Sequence, residues 1–452
     1  MNWGWLIARV VIGLTLLGLI VLSQRFWYRA IWRSTARWPN GWLRVGARLV
    51  YLAVLAMIIL ATVDGMRMGR KGHLVPKDAM LTIFAGLWFS SALFSFLAVE
   101  LVHGMDRLWR WAREAYARRG EPTAAVEHTR RIGDSGTGLL ASRGVERLVD
   151  PSRRYFFRTA SMLAGAAPFV SAVYGFAAER VNYTVMRVEI PMANLPAAMD
   201  GMTVVQLSDI HLSGYTTREE VRRAVDMAND LGADLAMVTG DFITGSHDPL
   251  ADCIEEVSRL HAPMGVWGCN GNHEIYAKVE DAAQQLFAQA GMKLLRQENA
   301  LLSYRGAPFN LIGVDYQRER TPSGQRTPML SSISGLIRRD MPNILMSHNP
   351  NSFNRAAEMG IELSLAGHTH GGQIQVEILD HRLTPARFIS DYTAGRYRRP
   401  LFVASTADKS TLSPSAARPD SQLYVNRGIG TVGAPVRLGV PPEITLMTLR
   451  RA

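Results

Sequence analysis

Four apolar segments constrain this chain more than any other feature, because a lipid bilayer admits only helices or closed barrels. They cover about residues 5–23, 47–63, 79–102 and 159–178. A membrane-spanning helix needs about 20 predominantly apolar residues. The second segment is short unless Arg44 and Arg48 extend towards the headgroups from its end. We therefore predict four transmembrane helices.

These segments divide the chain. We predict a three-span transmembrane region over residues 1–104, a basic cytoplasmic linker over residues 105–158, and a fourth transmembrane or signal-anchor helix over residues 159–178. Residues 181–452 are long enough for one catalytic domain with a large core.

The distribution of positive charge predicts the orientation, since Lys and Arg are enriched in cytoplasmic loops. Residues 103–157 contain eleven arginines, so this connection is predicted to be cytoplasmic. Everything after residue 178 then lies outside the cytoplasm, attached to the cytoplasmic (inner) membrane. The connection between the second and third segments carries Arg67, Arg70, Lys71 and Lys77, and this charge argues against the arrangement.

A basic motif directly precedes the fourth segment. Residues 152–158 read SRRYFFR and resemble the twin-arginine export signal, in which Ser/Thr-Arg-Arg is followed by aromatic, apolar and basic positions. The resemblance implies the twin-arginine export machinery, which carries folded cargo, as a partner. The alternative is that these arginines only hold the cytoplasmic end of a span in place.

Five predicted strands each end in side chains that bind metal ions. The motifs are Asp209-x-His211, Gly240-Asp241, Gly271-Asn272-His273-Glu274, His348, and Gly367-His368-Thr369-His370-Gly371-Gly372. The chain contains 11 histidines, and five of them fall in these motifs. Because ligands of α/β folds bind at the carboxyl ends of strands, we expect the motifs to meet at one place.

This series resembles the calcineurin-like metallophosphoesterase family from about residue 203 to the C-terminus, and its bacterial membrane-associated, twin-arginine-exported subgroup in particular. The stretches GHTHGGQI and LYVNRGIGTVGAPVRLGVPPEITLMTL carry the likeness to the subgroup. The resemblance implies an α/β sandwich of two packed β-sheets flanked by helices, here preceded by an α-helical transmembrane region. It does not cover residues 1–150.

The resemblance also implies two divalent metal ions. The implied ligands are Asp209, His211 and His370 for one metal, Asn272, His348 and His368 for the other, and Asp241 as a bridge. This mixture of oxygen and imidazole donors suits Mn, Fe or Zn. His273 is implied to act at the leaving group, with Asp241 as a candidate to orient it.

The predicted function is hydrolysis of phosphomonoester or phosphodiester bonds by metal-activated water. The catalytic domain begins within about ten residues of the last span, so a membrane-proximal or lipid-linked phosphoester is the expected substrate. The candidate substrate contacts are Arg396, Arg427 and Arg437.

Two other functions stay open. With the opposite orientation, a cytoplasm-facing pyrophosphatase of a nucleotide-linked glycolipid is favoured; a non-catalytic phosphate-binding receptor or scaffold is the other alternative. We do not expect nucleic acid as a partner. Although 50 Lys and Arg exceed 39 Asp and Glu, much of the positive charge flanks the apolar segments. We also predict that Cys253 and Cys269 are free and buried.

Overall fold

The computed structural model describes residues 3–68, 76–119, 151–192, 194–318, 327–378, 381–401 and 420–452. They form two compact units, Met1–Met57 with Gly86–Ser171, and Ile58–Ala85 with Ala172–Ala452. Residues 120–150, which belong to the predicted linker, lie outside the described residues.

Four long helices contain the four apolar segments. They are α1 (Trp3–Thr35), α2 (Gly41–Met68), α3 (Pro76–Arg119) and α4 (Pro151–Ala177). Three stretches of the described residues are long and apolar enough to cross a membrane: Gly41–Leu60, Ile83–Tyr116 and Ser152–Val181. The segment 5–23 lies inside α1, some of whose side chains are outside the described part of the chain. The structure thus has N-terminal helices that could span a membrane.

In the first unit, polar side chains join the helices by bonding to backbone carbonyls. The indole Nε1 of Trp27 donates to the carbonyl of Ala92 at 3.0 Å, and Ser95 Oγ donates to the carbonyl of Gly165 at 2.7 Å. A Cβ at position 165 would lie at an ordinary contact distance of 3.4 Å from Val99 Cγ2. These contacts pack α1 and α4 against α3.

The second unit contains most of the sheet structure. Its strands are β1 (Thr184–Met192), β2 (Thr203–Leu207), β3 (Leu235–Thr239), β4 (Val266–Cys269), β5 (Lys293–Leu294), β6 (Glu298–Tyr304), β7 (Ala307–Gly313), β8 (Asn343–Met346), β9 (Leu363–Ala366), β10 (Val376–Ile378), β11 (His381–Leu383), β12 (Gly395–Pro400), β13 (Asp420–Val425) and β14 (Glu443–Arg451). One six-stranded sheet has the order β1-β14-β2-β3-β4-β5, and the other β12-β13-β9-β8-β7-β6. Strands β10 and β11 form a separate antiparallel hairpin.

Five helices complete this unit: α5 (Arg218–Asn229), α6 (Leu250–Val257), α7 (Asn272–Ala277), α8 (Glu280–Gln289) and α9 (Phe353–Met359). Apolar residues of both sheets, such as Met237 and Phe309, share one buried cluster between the sheets. A second cluster joins Val221 of α5 and Ile254 of α6 to the outer face of the first sheet. The predicted α/β sandwich with flanking helices is confirmed.

Strand direction explains where polar residues collect. Strands β2, β3 and β4 are parallel in the first sheet, and β7, β8 and β9 are parallel in the second. Parallel neighbours end at the same edge of a sheet, so the loops after β2, β3, β4, β8 and β9 can meet. Cys253 and Cys269 are both free and buried, as predicted.

Candidate metal centre

The loops that follow the parallel strands bring Asp and His side chains into one buried cluster. Three groups have ligand atoms within 4.8 Å of one another: Asp209, His211 and His370; His211, Asp241 and His273; and Asp241, His348 and His368. The groups share His211 and Asp241, so they form one continuous site. Asn272 lies beside this cluster at the start of α7.

The backbone at the cluster is held in an uncommon conformation. Positive φ angles occur at Asp209 (49°), His211 (50°), Asp241 (56°), His368 (74°) and His370 (52°). The left-handed region is sterically costly for residues that carry a Cβ, and such residues persist only where the surroundings fix them. The backbone turns sharply at each strand end and directs the side chain towards the cluster.

Hydrogen bonds hold Asp209 in place. Its Oδ2 accepts a bond of 2.6 Å from Ser208 Oγ, and its Oδ1 accepts one of 2.9 Å from the backbone N–H of His368. Burial raises the pKa of this carboxyl to about 6, although His348 opposes the shift. The bond from His368 joins the loop after β2 to the loop after β9.

Two histidines are oriented by backbone carbonyls. His348 Nδ1 donates to the carbonyl of Thr239 at 2.6 Å, which leaves its Nε2 at 3.0 Å from Asp241 Oδ2. His273 Nδ1 donates to the carbonyl of Thr244 at 2.6 Å. A carbonyl partner fixes the tautomer and leaves the other ring nitrogen free for chemistry.

The structure corrects the expected partner of His273. Asp241 Oδ1 accepts a bond of 2.9 Å from the backbone N–H of His273, whereas the imidazole is bonded to Thr244. Asp241 therefore fixes the start of α7, and the carbonyl of Thr244 orients the ring. The rings of His273 and His211 meet edge to face, with centroids 4.7 Å apart.

The direction of the pKa shift divides the histidines of the cluster into two kinds. Burial lowers the pKa of His211 to about 3, that of His368 to about 4, and that of His370 well below its ordinary value. These three rings are neutral near pH 7, which is the form that binds metals. Burial also opposes the charge on His348, but Asp241 and Asp209 outweigh burial and raise its pKa to about 10.

Several buried atoms of the cluster are left without hydrogen-bond partners among the described residues. They are Asn272 Oδ1, His368 Nδ1 and His370 Nδ1. Buried polar atoms are almost always paired, so unpaired ones at a single site indicate an additional partner. Carboxylate, amide and imidazole donors suit borderline divalent cations. The residues therefore fit divalent metal binding.

Glycine is needed where two of these loops touch. A Cβ on Gly271 would overlap Asp241 Oδ1, and one on Gly367 would overlap Ser208 Oγ. Backbone packs directly against ligand side chains at both points, which leaves no room for a larger residue.

Glu274 is the residue of this site to which sequence reasoning gave no role. It is fully buried, and its carboxylate accepts backbone N–H bonds from Asp241 (2.9 Å), Phe242 (2.8 Å) and Gly271 (2.8 Å). Burial raises its pKa to about 7. The available signal was its position three residues after Gly271, the spacing of a capping box at the start of a helix.

The three arginines predicted to contact substrate are placed differently from one another. Arg396 is exposed and donates to the carbonyl of Glu189 at 3.0 Å. Arg427 is partly buried, and its Nε lies 3.3 Å from Glu443 Oε2. Arg437 is completely buried, and its guanidinium donates to carbonyls of Gly428 and Gly430 at 2.9 and 2.6 Å. The Nη donors of Arg437 are thus bonded to the backbone, and its contact with substrate stays a prediction.

Comparison with known proteins agrees with this geometry. The family model described as "Calcineurin-like phosphoesterase" matches residues 202–372, the range that holds every loop of the cluster. The chain belongs to the calcineurin-like phosphoesterases. With the metal-binding cluster, this membership makes it a metal-dependent hydrolase of phosphoesters.

Three relatives are informative. The chain is 29% identical to the uncharacterized metallophosphoesterase YkuE of Bacillus subtilis, over 66% of this chain and 98% of that protein. It is 30% identical to the transmembrane protein with metallophosphoesterase domain of Bos taurus, over 69% of this chain and 66% of that protein. It is 25% identical to the UDP-2,3-diacylglucosamine pyrophosphatase LpxG of Chlamydia trachomatis, over 62% of this chain and 94% of that protein.

Proposed function

We propose that this phosphoesterase is anchored in the membrane, holds two metal ions, and hydrolyses a phosphomonoester or phosphodiester at the bilayer surface. One observation carries the proposal: of three groups whose ligand atoms lie within 4.8 Å of one another, the first and second share His211, and the second and third share Asp241. A shared carboxylate between two neighbouring groups is the arrangement that a pair of adjacent cations needs.

The proposed ligands are those that the family resemblance implies, and the groups contain all of them except Asn272. Asp209, His211 and His370 would hold one ion, Asn272, His348 and His368 the other, and Asp241 both. Mn, Fe and Zn all accept such donors.

Bound cations would supply Lewis acidity to phosphoryl oxygens and lower the pKa of a coordinated water. Residues of the chain would supply acid catalysis and would hold the ligand loops in position. His273, held by Thr244, is placed to protonate the leaving oxygen or to stabilise charge on the phosphoryl group. Glu274 keeps the loops of Asp241 and Gly271 together, so that the ligands need little rearrangement.

The position of the last long helix supports a membrane-proximal, lipid-linked substrate. Helix α4 ends at Ala177, and the first strand of the catalytic domain begins at Thr184. We further propose that SRRYFFR directs twin-arginine export, which places the site on the outer face of the cytoplasmic membrane. Alkaline phosphatase is active only outside the cytoplasm, so a fusion after residue 452 should be active. An inactive fusion of a stably produced chain would reverse the orientation.

A second candidate function rests on the similarity to the pyrophosphatase LpxG. In this version the site faces the cytoplasm and cleaves the diphosphate of a nucleotide-linked glycolipid. Hydrolysis of UDP-2,3-diacylglucosamine by the purified full chain, together with an inactive alkaline phosphatase fusion, would favour it over the first proposal.

The experiment that tests the site compares the full chain with Asp241→Asn. Metal content is measured by mass spectrometry, and hydrolysis with bis(p-nitrophenyl) phosphate and p-nitrophenyl phosphate. We expect Asp241→Asn to lose metal and activity together, and Asp230→Asn, the same change at an exposed position, to keep both. Full activity in Asp241→Asn would refute the bridging role, and full metal content without turnover in the unmodified chain would favour the receptor alternative.

A further inference from the structure

The hairpin of β10 and β11 and the residues that flank it expose a group of large apolar side chains. The group consists of Ile374 (38% exposed), Val376 (47%), Leu383 (54%), Phe388 (95%) and Ile389 (62%), here called the apolar hairpin surface. Val376 and Leu383 are directly opposed in the hairpin, so their side chains share a face. Exposed large apolar side chains grouped in one short segment are typical of an interaction site.

The segment that carries the apolar hairpin surface contacts the turn that contains His370, Gly371 and Gly372, here called the ligand turn. Thr384 Oγ1 donates to the carbonyl of Gly371 at 3.4 Å, and a Cβ on Gly372 would overlap the Thr384 side chain. Gly371 directly follows the ligand candidate His370. Whatever contacts the apolar hairpin surface therefore comes close to the candidate metal centre.

Backbone bonds connect the same hairpin to the end of α4. The N–H of Arg437 donates to the carbonyl of Gly175 at 3.2 Å. The next residue, Leu438, donates to the carbonyl of Gln373 at 2.8 Å and accepts from the N–H of Gln375 at 2.8 Å. Gly175 lies within Ser152–Val181, one of the candidate membrane spans. These bonds hold the hairpin beside the carboxyl-terminal part of that candidate span.

A cavity of about 330 Å³ adjoins the hairpin on the side of the ligand turn, and its lining includes Arg387, Arg427, Thr393 and Tyr397. Arg427 packs on this turn, because a Cβ on Gly371 would lie 3.3 Å from Arg427 Cγ. Arg387 is exposed and precedes Phe388 directly. Apolar side chains beside guanidinium groups are typical of surfaces that insert into the interface of an anionic bilayer.

We infer that the apolar hairpin surface docks into the interface of an anionic lipid bilayer, with a lipid phosphate at Arg387 and Arg427 in the adjoining cavity. Transfer of the apolar side chains out of water is favourable. The guanidinium of Arg387 donates to the phosphate, and so do the Nη groups of Arg427, whose Nε faces Glu443. Only the catalytic consequence rests on the proposed function: a docked bilayer would present a lipid phosphoester beside the turn that carries His370.

The docking test uses the full chain in proteoliposomes of phosphatidylcholine and phosphatidylglycerol. Phe388→Cys and the control Leu301→Cys are labelled with the environment-sensitive fluorophore NBD; Leu301 is 56% exposed and lies on β6. The native Cys253 and Cys269 are completely buried and should label little. We expect doxyl-labelled lipid to quench the fluorophore at position 388 and to spare that at position 301. Equal quenching at both positions would overturn the inference, as would a blue-shifted emission at 388 without quenching, which would mean that protein covers the surface.

A second experiment measures how docking affects turnover of a lipid substrate relative to a soluble one. Turnover of a lipid phosphoester in the bilayer is divided by turnover of bis(p-nitrophenyl) phosphate, so that a general loss of folding cancels. We expect Phe388→Ser to lower this ratio about tenfold, the order set by burying an aromatic side chain. Arg387→Gln should abolish the dependence on phosphatidylglycerol, and Arg305→Gln, at an exposed turn, should change neither.

The failures of the two proposals are distinguishable. An unmodified chain that hydrolyses neither substrate contradicts the proposed function and leaves the quenching result intact. Ordinary hydrolysis of both substrates without quenching at position 388 contradicts the docking surface alone.

Discussion

The carboxylate of Glu274 accepts the backbone N–H of Asp241 at 2.9 Å and thereby controls the conformation of the proposed bridging residue. The same side chain accepts N–H groups from Phe242 and Gly271. One buried acid thus ties the loop after β3 to the loop after β4. A group that never touches substrate can govern the site through these bonds.

Replacing Glu274 should therefore damage both stability and activity. Glu274→Ala leaves buried N–H groups unpaired, at about 1–3 kcal/mol for each, and should lower the denaturation midpoint and the metal content together. Glu274→Gln retains one acceptor oxygen and should fall between Glu274→Ala and the unmodified chain. Glu298→Ala, an exposed control, should unfold normally. Unchanged metal content in Glu274→Ala would show that the loops hold their shape without it.

The His273 variant separates chemistry from metal binding. His273→Ala should retain bound metal, while kcat falls by about 10²–10⁴-fold, as expected for loss of a general acid. The loss should be greatest for substrates with poor leaving groups, because those need protonation most. Steady-state kinetics over a series of aryl and alkyl phosphodiesters measures this, with His261→Ala as an exposed control. A loss equal for all leaving groups would instead assign His273 to charge stabilisation on the phosphoryl group.

Metal binding should release a proton from His348. Asp241 and Asp209 outweigh burial and raise the pKa of its imidazole to about 10 in the metal-free site, so the ring is protonated at pH 7.5 and must lose that proton to bind a cation. Apparent metal affinity should then rise about tenfold per pH unit for each proton released. Calorimetric titration of the metal-free chain in two buffers with different ionisation enthalpies counts the protons. Identical heats in both buffers would contradict the prediction.

Gly271→Ala tests the close approach of backbone and ligand. The added Cβ would overlap Asp241 Oδ1, so the Asp241 side chain or α7 must shift, at about 1–3 kcal/mol for overpacking. We expect a larger loss of activity than of stability, since small displacements of a ligand are costly to catalysis. Thermal unfolding and hydrolysis are compared with Gly335→Ala, where a Cβ would have open space. Full activity in Gly271→Ala would show that the loop adapts.

The sequence predicted the strands and the metal-ligand types because both depend on local pattern. The strand predicted to precede Asp209-x-His211 is β2, and the strand predicted to precede His348 is β8. Metal-ligand side chains placed directly after short apolar runs can occupy one edge of the fold, and this expectation needs no knowledge of packing.

Arg437 and Glu274 could not be assigned from the sequence because their roles depend on distant backbone. Arg437 is predicted from the sequence to contact substrate, yet its Nη groups donate to the carbonyls of Gly428 and Gly430. The sequence alone does not show whether backbone carbonyls will surround a charged side chain. The hairpin of β10 and β11 was also missed, because each of its strands has only three residues and gives too little alternation to detect.

Stability and function make opposite demands at five positions with positive φ angles: Asp209, His211, Asp241, His368 and His370. Glycine would adopt each of these backbone conformations at lower energy than the residue present. A laboratory selection scored only on resistance to heat would therefore drift towards glycine at these five positions. The selected variants would resist heat better but would lack the side chains that bind a metal ion.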